Sequence, residues 1–217
     1  MSAAPASGSA RLRFPGVRAP RPLLDAAAEK RLTERQREIL DDLEVAGGEE
    51  GFASLTMAEI ASRMNCSLRT LYGIAPTRDE LLLAVADRRL RRIGRRALDS
   101  LDPSLPPLEL LRSYLHAAHR AVQPQTVNMT RDFAAVDGSE GLADVHENYV
   151  IAVVKSLLDR AATDGDIRDV DTAAIAQVLG RLGRAFARTD LAGKTRGNPE
   201  DSANAVADVI LAGLVAS

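Results

Sequence analysis

Three short signals of one form, Thr-x-x-Glu or Thr-x-x-Gln, stand in the first half of this 217-residue chain. They begin at Thr33, Thr56 and Thr77, and each precedes apolar residues spaced at intervals of three and four. In such a capping box the threonine hydroxyl accepts a backbone hydrogen bond, and the acid or amide three residues later reaches back to the threonine. The signals predict three helix starts, and Gly47-Gly48 is predicted to end the first helix.

The stretch between the second and third signals predicts a tight turn followed by another short helix. Asn65 can adopt the left-handed backbone conformation that such a turn needs. Ser67 is a suitable cap for the next helix, and Pro76 is expected to end it. A small residue where two helices meet, Ala61, and an apolar plug on the second helix, Leu71, complete the pattern of a helix-turn-helix, whose second helix enters the major groove of DNA.

Residues 51–61, 67–72 and 76–82 resemble, in order and in spacing, the DNA-binding domain of TetR-family regulators, and the close match spans residues 36–95. The chain departs from the family pattern at Asn65, where glycine is usual, and at Gly73-Ile74-Ala75, where two aromatic residues are usual. The resemblance implies a dimeric repressor that leaves its operator when a small effector binds. It also implies DNA contacts by these residues: Thr56, Ser67, Arg69, Thr70, Tyr72 and Arg78.

Composition favours an all-α fold, because the chain has no Trp and few other aromatic residues and is rich in Ala and Leu. Proline and glycine breaks divide it into a disordered basic arm (1–30), a helix-turn-helix domain (31–97) and a helical ligand-binding and dimerisation domain (98–217). Later helices are expected near 108–122, 125–136, 141–164, 171–188 and 199–215. Residues 1–96 carry a net +4 and residues 97–217 a net −6, which suggests two tasks.

Two groups of basic residues leave alternatives open. The N-terminal arm is a solvated tail or a basic arm that follows the DNA backbone or enters a minor groove. The arginine pairs that begin at Arg88, Arg91 and Arg95 form a solvated helix face or attract DNA from a distance.

Scarce large and titratable side chains in the second domain are candidates for a pocket, although core packing is the competing explanation. They are Tyr114, His119, Met129, Phe133 and Tyr149. His116 and His119 lie three residues apart, and with Asp132 or Glu147 they could hold a metal, but that spacing is weak and we predict no metal site. Small residues on the helices near 171–188 and 199–215 favour a homodimer interface.

Other function classes find little support. The chain has no glycine-rich phosphate loop and no nucleophile elbow, so neither an enzyme nor a bound cofactor is expected. It has no long apolar stretch and a single cysteine, Cys66, which together predict a cytoplasmic protein without membrane contact. A regulator without an effector, and an activator instead of a repressor, remain alternatives.

Overall fold

The computed structural model describes residue 12 and residues 14–49, 55–120, 133–187 and 194–216. Within these ranges the chain is helical and has no strand, and the predicted all-α fold is confirmed. The helices are α1 (Ala26–Arg31), α2 (Glu34–Glu49), α3 (Met57–Arg63), α4 (Leu68–Tyr72), α5 (Arg78–Asp99), α6 (Pro107–His119), α7 (Ser139–Asp164), α8 (Thr172–Leu179), α9 (Leu182–Phe186) and α10 (Pro199–Leu214).

The predicted capping signals are present at the starts of α2 to α5. The Thr56 hydroxyl accepts from the Glu59 N–H, and the Glu59 carboxylate accepts from the Thr56 N–H at 2.7 Å. Thr33 makes the same reciprocal pair with Gln36. Ser67 and Thr77 cap α4 and α5 through their hydroxyls. These local bonds supply partners for the N–H groups that a helix start leaves open.

Two apolar cores organise the described residues. The first lies among α2 to α5 and includes the fully buried Ile39, Ile60 and Leu71. The second lies among α6, α7, α8 and α10 and includes Leu110, Leu158 and Leu211. Helix α5 joins the two cores, because Leu81 near its start belongs to the first core and Ala97 near its end belongs to the second.

The structure corrects two predicted helix ends. Helix α2 continues through Gly47 and Gly48 to Glu49, because glycine lowers helix propensity by about 1 kcal/mol without forbidding a helix. The helix predicted at 171–188 is broken into α8 and α9 around Gly180. There α7 passes so close that a Cβ on Gly180 would lie 2.5 Å from Ile151 Cγ1. The helix predicted at 125–136 falls largely outside the described residues.

The N-terminal segment, residues 14–25, differs from the disordered arm predicted for 1–30. Phe14 and Val17 pack against the second core, and Leu24 packs against the first. Asp25 then caps α1 by accepting from the Ala28 N–H at 2.7 Å. The prolines do exclude a long helix here, but they do not prevent an irregular chain from packing against helices. Among the described residues no helix is long and apolar enough to span a membrane.

Candidate nucleic-acid interface and ligand cavity

Helix α4 presents polar side chains on one face and an apolar anchor on the other. Leu71 is fully buried, whereas Ser67, Arg69 and Tyr72 are exposed. The Ser67 hydroxyl, at the N-terminal cap of α4, lies 2.8 Å from the Thr70 hydroxyl, within hydrogen-bonding distance. Asn65 adopts a φ of 47° in the preceding turn, as predicted. Four of the six predicted DNA-binding residues therefore lie on α4 or at its N-terminal cap.

The other two predicted DNA-binding residues flank α4. Thr56 is exposed at the start of α3, and its hydroxyl is held by the Glu59 carboxylate at 2.8 Å. The hydrogen bonds from Thr56 lower the pKa of Glu59, so this carboxylate is charged at neutral pH. Arg78 begins α5 and contacts Asp79 at 3.2 Å. DNA contact by these six residues stays a prediction.

Gln36 fixes the position of α4 from a neighbouring helix, which sequence reasoning missed. Its amide oxygen accepts from the Thr33 N–H, and its amide nitrogen donates to the Thr70 carbonyl at 3.1 Å. A Cβ on Gly73 would lie 2.4 Å from that amide nitrogen. Gly73, where the family usually has an aromatic residue, thus leaves room for a direct contact between α2 and α4. The capping signal identified Gln36 but gave no indication of its second partner.

A cavity of about 330 Å³ lies among α5, α6, α7, α9 and the N-terminal segment. Four of the five residues predicted for a pocket line it: Tyr114, His119, Phe133 and Tyr149. Met129 lies outside the described residues. The prediction missed two further walls, which are the middle of α5, including Leu90 and Ile93, and the N-terminal segment at Ala19 and Pro20. The volume lies within the range of about 300–1,000 Å³ usual for ligand pockets.

Burial keeps three polar side chains of this cavity, His119, Tyr114 and Tyr149, uncharged. Burial lowers the pKa of His119, although its hydrogen bond with Asn204 opposes the shift. Burial also raises the pKa of Tyr114 and of Tyr149, in Tyr114 with a contribution from the neighbouring Tyr149. His119 Nδ1 lies 2.8 Å from Asn204 Oδ1. Because a carbonyl oxygen only accepts, Nδ1 carries the proton and Nε2 is left as an acceptor.

One buried carboxylate joins three parts of the chain beside the cavity. Asp87 in α5 is 2% exposed, and it accepts from the Leu23 N–H at 3.0 Å, from Arg91 at 3.2 Å and from His146 in α7 at 2.9 Å. We call these four residues the Asp87 cluster. Arg91 also donates to the Pro20 carbonyl. Burial opposes ionisation of Asp87, but the bonds from His146 and Leu23 and the charge of Arg91 outweigh it and lower its pKa.

The arginines of α5 do not form a merely solvated face. Arg88 contacts Glu29 of α1 at 2.9 Å, and Asp41 and Glu44 of α2 at 2.8 and 3.3 Å. Arg92 also contacts Glu44, which is nearly fully buried. These ion pairs bind α5 to α1 and α2, so neither alternative for this arginine run describes Arg88 and Arg92. Their partners lie far away in sequence and could not be identified from it.

The histidines considered for a metal have other partners. His116 lies 3.1 Å from Asp208, and His119 pairs with Asn204. Among the described residues no group of three or more His, Cys, Asp or Glu side chains is arranged to hold a metal ion.

Sequence comparison identifies regulators of transcription as relatives. The chain is 30% identical over 149 residues to the HTH-type transcriptional repressor KstR of Rhodococcus jostii. The aligned region covers 67% of this chain and 68% of that protein. It is 27% identical over 136 residues to KstR of Mycolicibacterium smegmatis, covering 61% of this chain and 65% of the relative. No family model matches the sequence.

Solved structures share the fold. A TetR-family regulator from Pectobacterium atrosepticum superposes with a TM-score of 0.69 at 20% identity, covering 85% of this chain and 95% of the other. A transcriptional regulator from Saccharomonospora viridis, solved with choline, gives 0.69 at 18% identity, with coverages of 85% and 99%. The relatives found by sequence and by structure are regulators of transcription and not enzymes, as the sequence predicted. Because identity to the Rhodococcus jostii repressor reaches 30% over two thirds of both chains, and because the helix-turn-helix and helical second domain match, the chain belongs to the TetR family of transcriptional regulators.

Proposed function

We propose that the protein is an operator-binding repressor that a small, largely apolar molecule releases from DNA. One observation carries this proposal: helix α5 both lines the cavity and packs against the core that holds α4. Helix α5 lines the cavity along its middle and is bound at its start to the core that holds α4. The N-terminal segment also lines the cavity and continues directly into α1. We propose that the protein acts in the cytoplasm, where operator DNA is accessible.

The proposed release follows from the geometry of a dimer on DNA. Two reading helices must enter successive major grooves, about 34 Å apart. A ligand that displaces α5 or the N-terminal segment changes the position of α4 and hence this spacing. The ligand must prefer the displaced state, because equal affinity for both states shifts nothing. A coupling of about 1–3 kcal/mol corresponds to a 5–150-fold loss of operator affinity.

Operator affinity in the presence of a metabolite panel tests this proposal. An operator is first selected from random duplexes with the free protein, and its Kd is then measured by fluorescence anisotropy with each compound. A compound that binds and raises the operator Kd supports the sensor. If compounds bind without any effect on that Kd, the protein is a regulator without effector control, the main alternative.

The proposed homodimer forms through exposed apolar residues of α8 and α10. Val178, Val206 and Val209 are 52%, 37% and 74% exposed in the single chain. Several of the small residues that motivated the prediction do not belong to this surface, because Ala176, Ala203 and Ala207 are buried within their own chain. Exposed small residues that remain beside the valines are Ala173, Ala174, Ala205, Ala212 and Gly213.

Val209→Arg is expected to convert the dimer into a monomer, because Val209 is the most exposed of these valines and the substitution would bury an unpaired charge in the proposed interface. Sedimentation velocity at micromolar concentration measures the change. Val145→Arg is the matched control, because Val145 is also exposed, at 49%, but lies on α7. A Val209→Arg variant that still sediments as a dimer would place the interface elsewhere.

Arg69→Ala is expected to weaken binding to the operator more than binding to random DNA, whereas Arg78→Ala should weaken both alike. Arg69 is exposed on α4 and can pair with a guanine edge, a contact worth about 1–3 kcal/mol of discrimination. Arg78 begins the next helix and is expected to contact a phosphate. Binding curves on both duplexes measure the effect, and equal losses for Arg69→Ala would remove its base-reading role.

A further inference from the structure

The cavity contains two phenol groups that have no hydrogen-bond partner among the described residues. Tyr114 is 1% exposed and lines the cavity from α6, and Tyr149 lines it from α7. Among the described residues neither hydroxyl makes a hydrogen bond. Neither hydroxyl oxygen is completely inaccessible, since neither belongs to the buried polar atoms that lack both a partner and accessible surface. The Tyr114 hydroxyl must therefore border open space, and for so buried a side chain that space is the cavity.

A buried hydroxyl without a partner destabilises the folded protein, and a ligand that enters the cavity and hydrogen-bonds to it removes this cost. A phenol donates one hydrogen bond and accepts others. His119 adds an acceptor at Nε2, because its Nδ1 is used by Asn204. Apolar side chains supply much of the remaining lining and include Phe133, Val150 and Ala118.

Charged ligand groups fit this part of the cavity poorly. Four arginines of the described chain line the cavity. Arg91 is engaged by Asp87, Arg184 contacts Asp144 at 2.6 Å, and Arg89 already interacts within the protein. Arg95 is exposed to solvent, so the described residues offer no unengaged buried cation to an anion beside Tyr114. A cation would depend on Glu147, which already contacts Arg181 at 3.1 Å. Burying an unpaired charge costs far more than burying a hydrogen-bonded neutral group.

We propose that the cavity selects an apolar molecule carrying an uncharged oxygen group, a hydroxyl or a carbonyl, which hydrogen-bonds to Tyr114 and Tyr149. This inference rests on the proposed sensor function and specifies the chemistry of its ligand. The two tyrosines determine which apolar molecules are accepted, while the aliphatic and aromatic lining supplies the bulk of the affinity. An alcohol or ketone is thereby distinguished from the corresponding hydrocarbon.

The probes are five compounds with one carbon ring: cyclododecanol, cyclododecanone, cyclododecane, cyclododecylamine and cyclododecanecarboxylic acid. Tyrosine emission measures their Kd values, because the chain has three tyrosines and no tryptophan. Tyr72 does not line the cavity and is expected to add an emission that does not depend on the probe, and calorimetry on the same wild-type protein checks each Kd. The alcohol and ketone are expected to bind about fivefold to tenfold more tightly than the hydrocarbon, and the charged compounds more weakly than either.

Tyr114→Phe and Tyr149→Phe keep the rings and remove one hydroxyl each, so at least one of them should raise the Kd of the alcohol and ketone about fivefold without changing that of the hydrocarbon. Equal binding of hydrocarbon and ketone, tightest binding of a charged probe, or no binding of any probe would overturn the inference. The proposed sensor function is tested separately by operator affinity. If the alcohol binds as expected but the operator Kd is unchanged, release by ligand fails while the selectivity stands.

Discussion

Asp87→Ala is expected to lower the free energy of unfolding by about 3–5 kcal/mol, because it removes the acceptor of a buried hydrogen-bonded cluster. Asp87 is 2% exposed, and without it the guanidinium of Arg91 and the ring of His146 lose a shared partner. Urea unfolding followed by circular dichroism at pH 7 measures the loss. Asp87→Asn is the matched control: it keeps the size and one acceptor oxygen, and we expect a smaller loss.

The same substitution should release the N-terminal segment, because Leu23 donates its N–H to Asp87 and Arg91 is oriented by it. Trypsin reports this directly at the bond after Arg18, an exposed residue of the segment. Faster cleavage there in Asp87→Ala than in the wild type is expected under conditions where both are folded. Unchanged cleavage and a loss below about 1 kcal/mol would show that the Asp87 cluster does not hold the segment.

The contribution of Asp87 depends on pH in a defined direction. Its pKa in the folded protein is lowered from the ordinary value of 3.8, so the folded state binds the proton less readily than the unfolded state. The stabilisation is therefore complete above the ordinary pKa and is lost as the pH falls through the folded value. The difference in unfolding free energy between wild type and Asp87→Ala should be full at pH 7 and shrink below pH 3.8.

Leu71→Ala is expected to cost about 2–5 kcal/mol of unfolding free energy and to abolish operator binding. Leu71 is fully buried and is the apolar anchor of α4, so its truncation leaves a cavity beneath the helix that is predicted to read DNA. Urea unfolding and operator anisotropy measure the two effects. Leu68→Ala on the same helix is the control, because Leu68 is 41% exposed and its loss should cost less than 1 kcal/mol. Similar costs for both variants would contradict the role of Leu71 as the anchor.

Local chemistry made the helix-turn-helix predictable from the amino-acid sequence. The caps at Thr33, Thr56, Ser67 and Thr77 join residues three positions apart, so each depends on its own neighbours alone. Asn65 likewise adopts a positive φ for a reason contained in its own side chain. Because the chain has few aromatic residues, those in the second domain were the main candidates for lining a pocket, and four of the five predicted pocket residues do line the cavity.

Tertiary contacts decided the remaining features. Gln36 contacts Thr70 across 34 positions, Leu23 contacts Asp87 across 64, and Arg91 contacts Pro20 across 71. No local periodicity encodes such pairs, which is why the N-terminal segment was predicted to be disordered and the ion pairs of the α5 arginines were not predicted. The sequence by itself determined where α2 to α5 begin and which of them is predicted to read DNA. Only packing determined that α5 and the N-terminal segment line the cavity, because segments far apart in sequence form a common cavity only once the chain has folded.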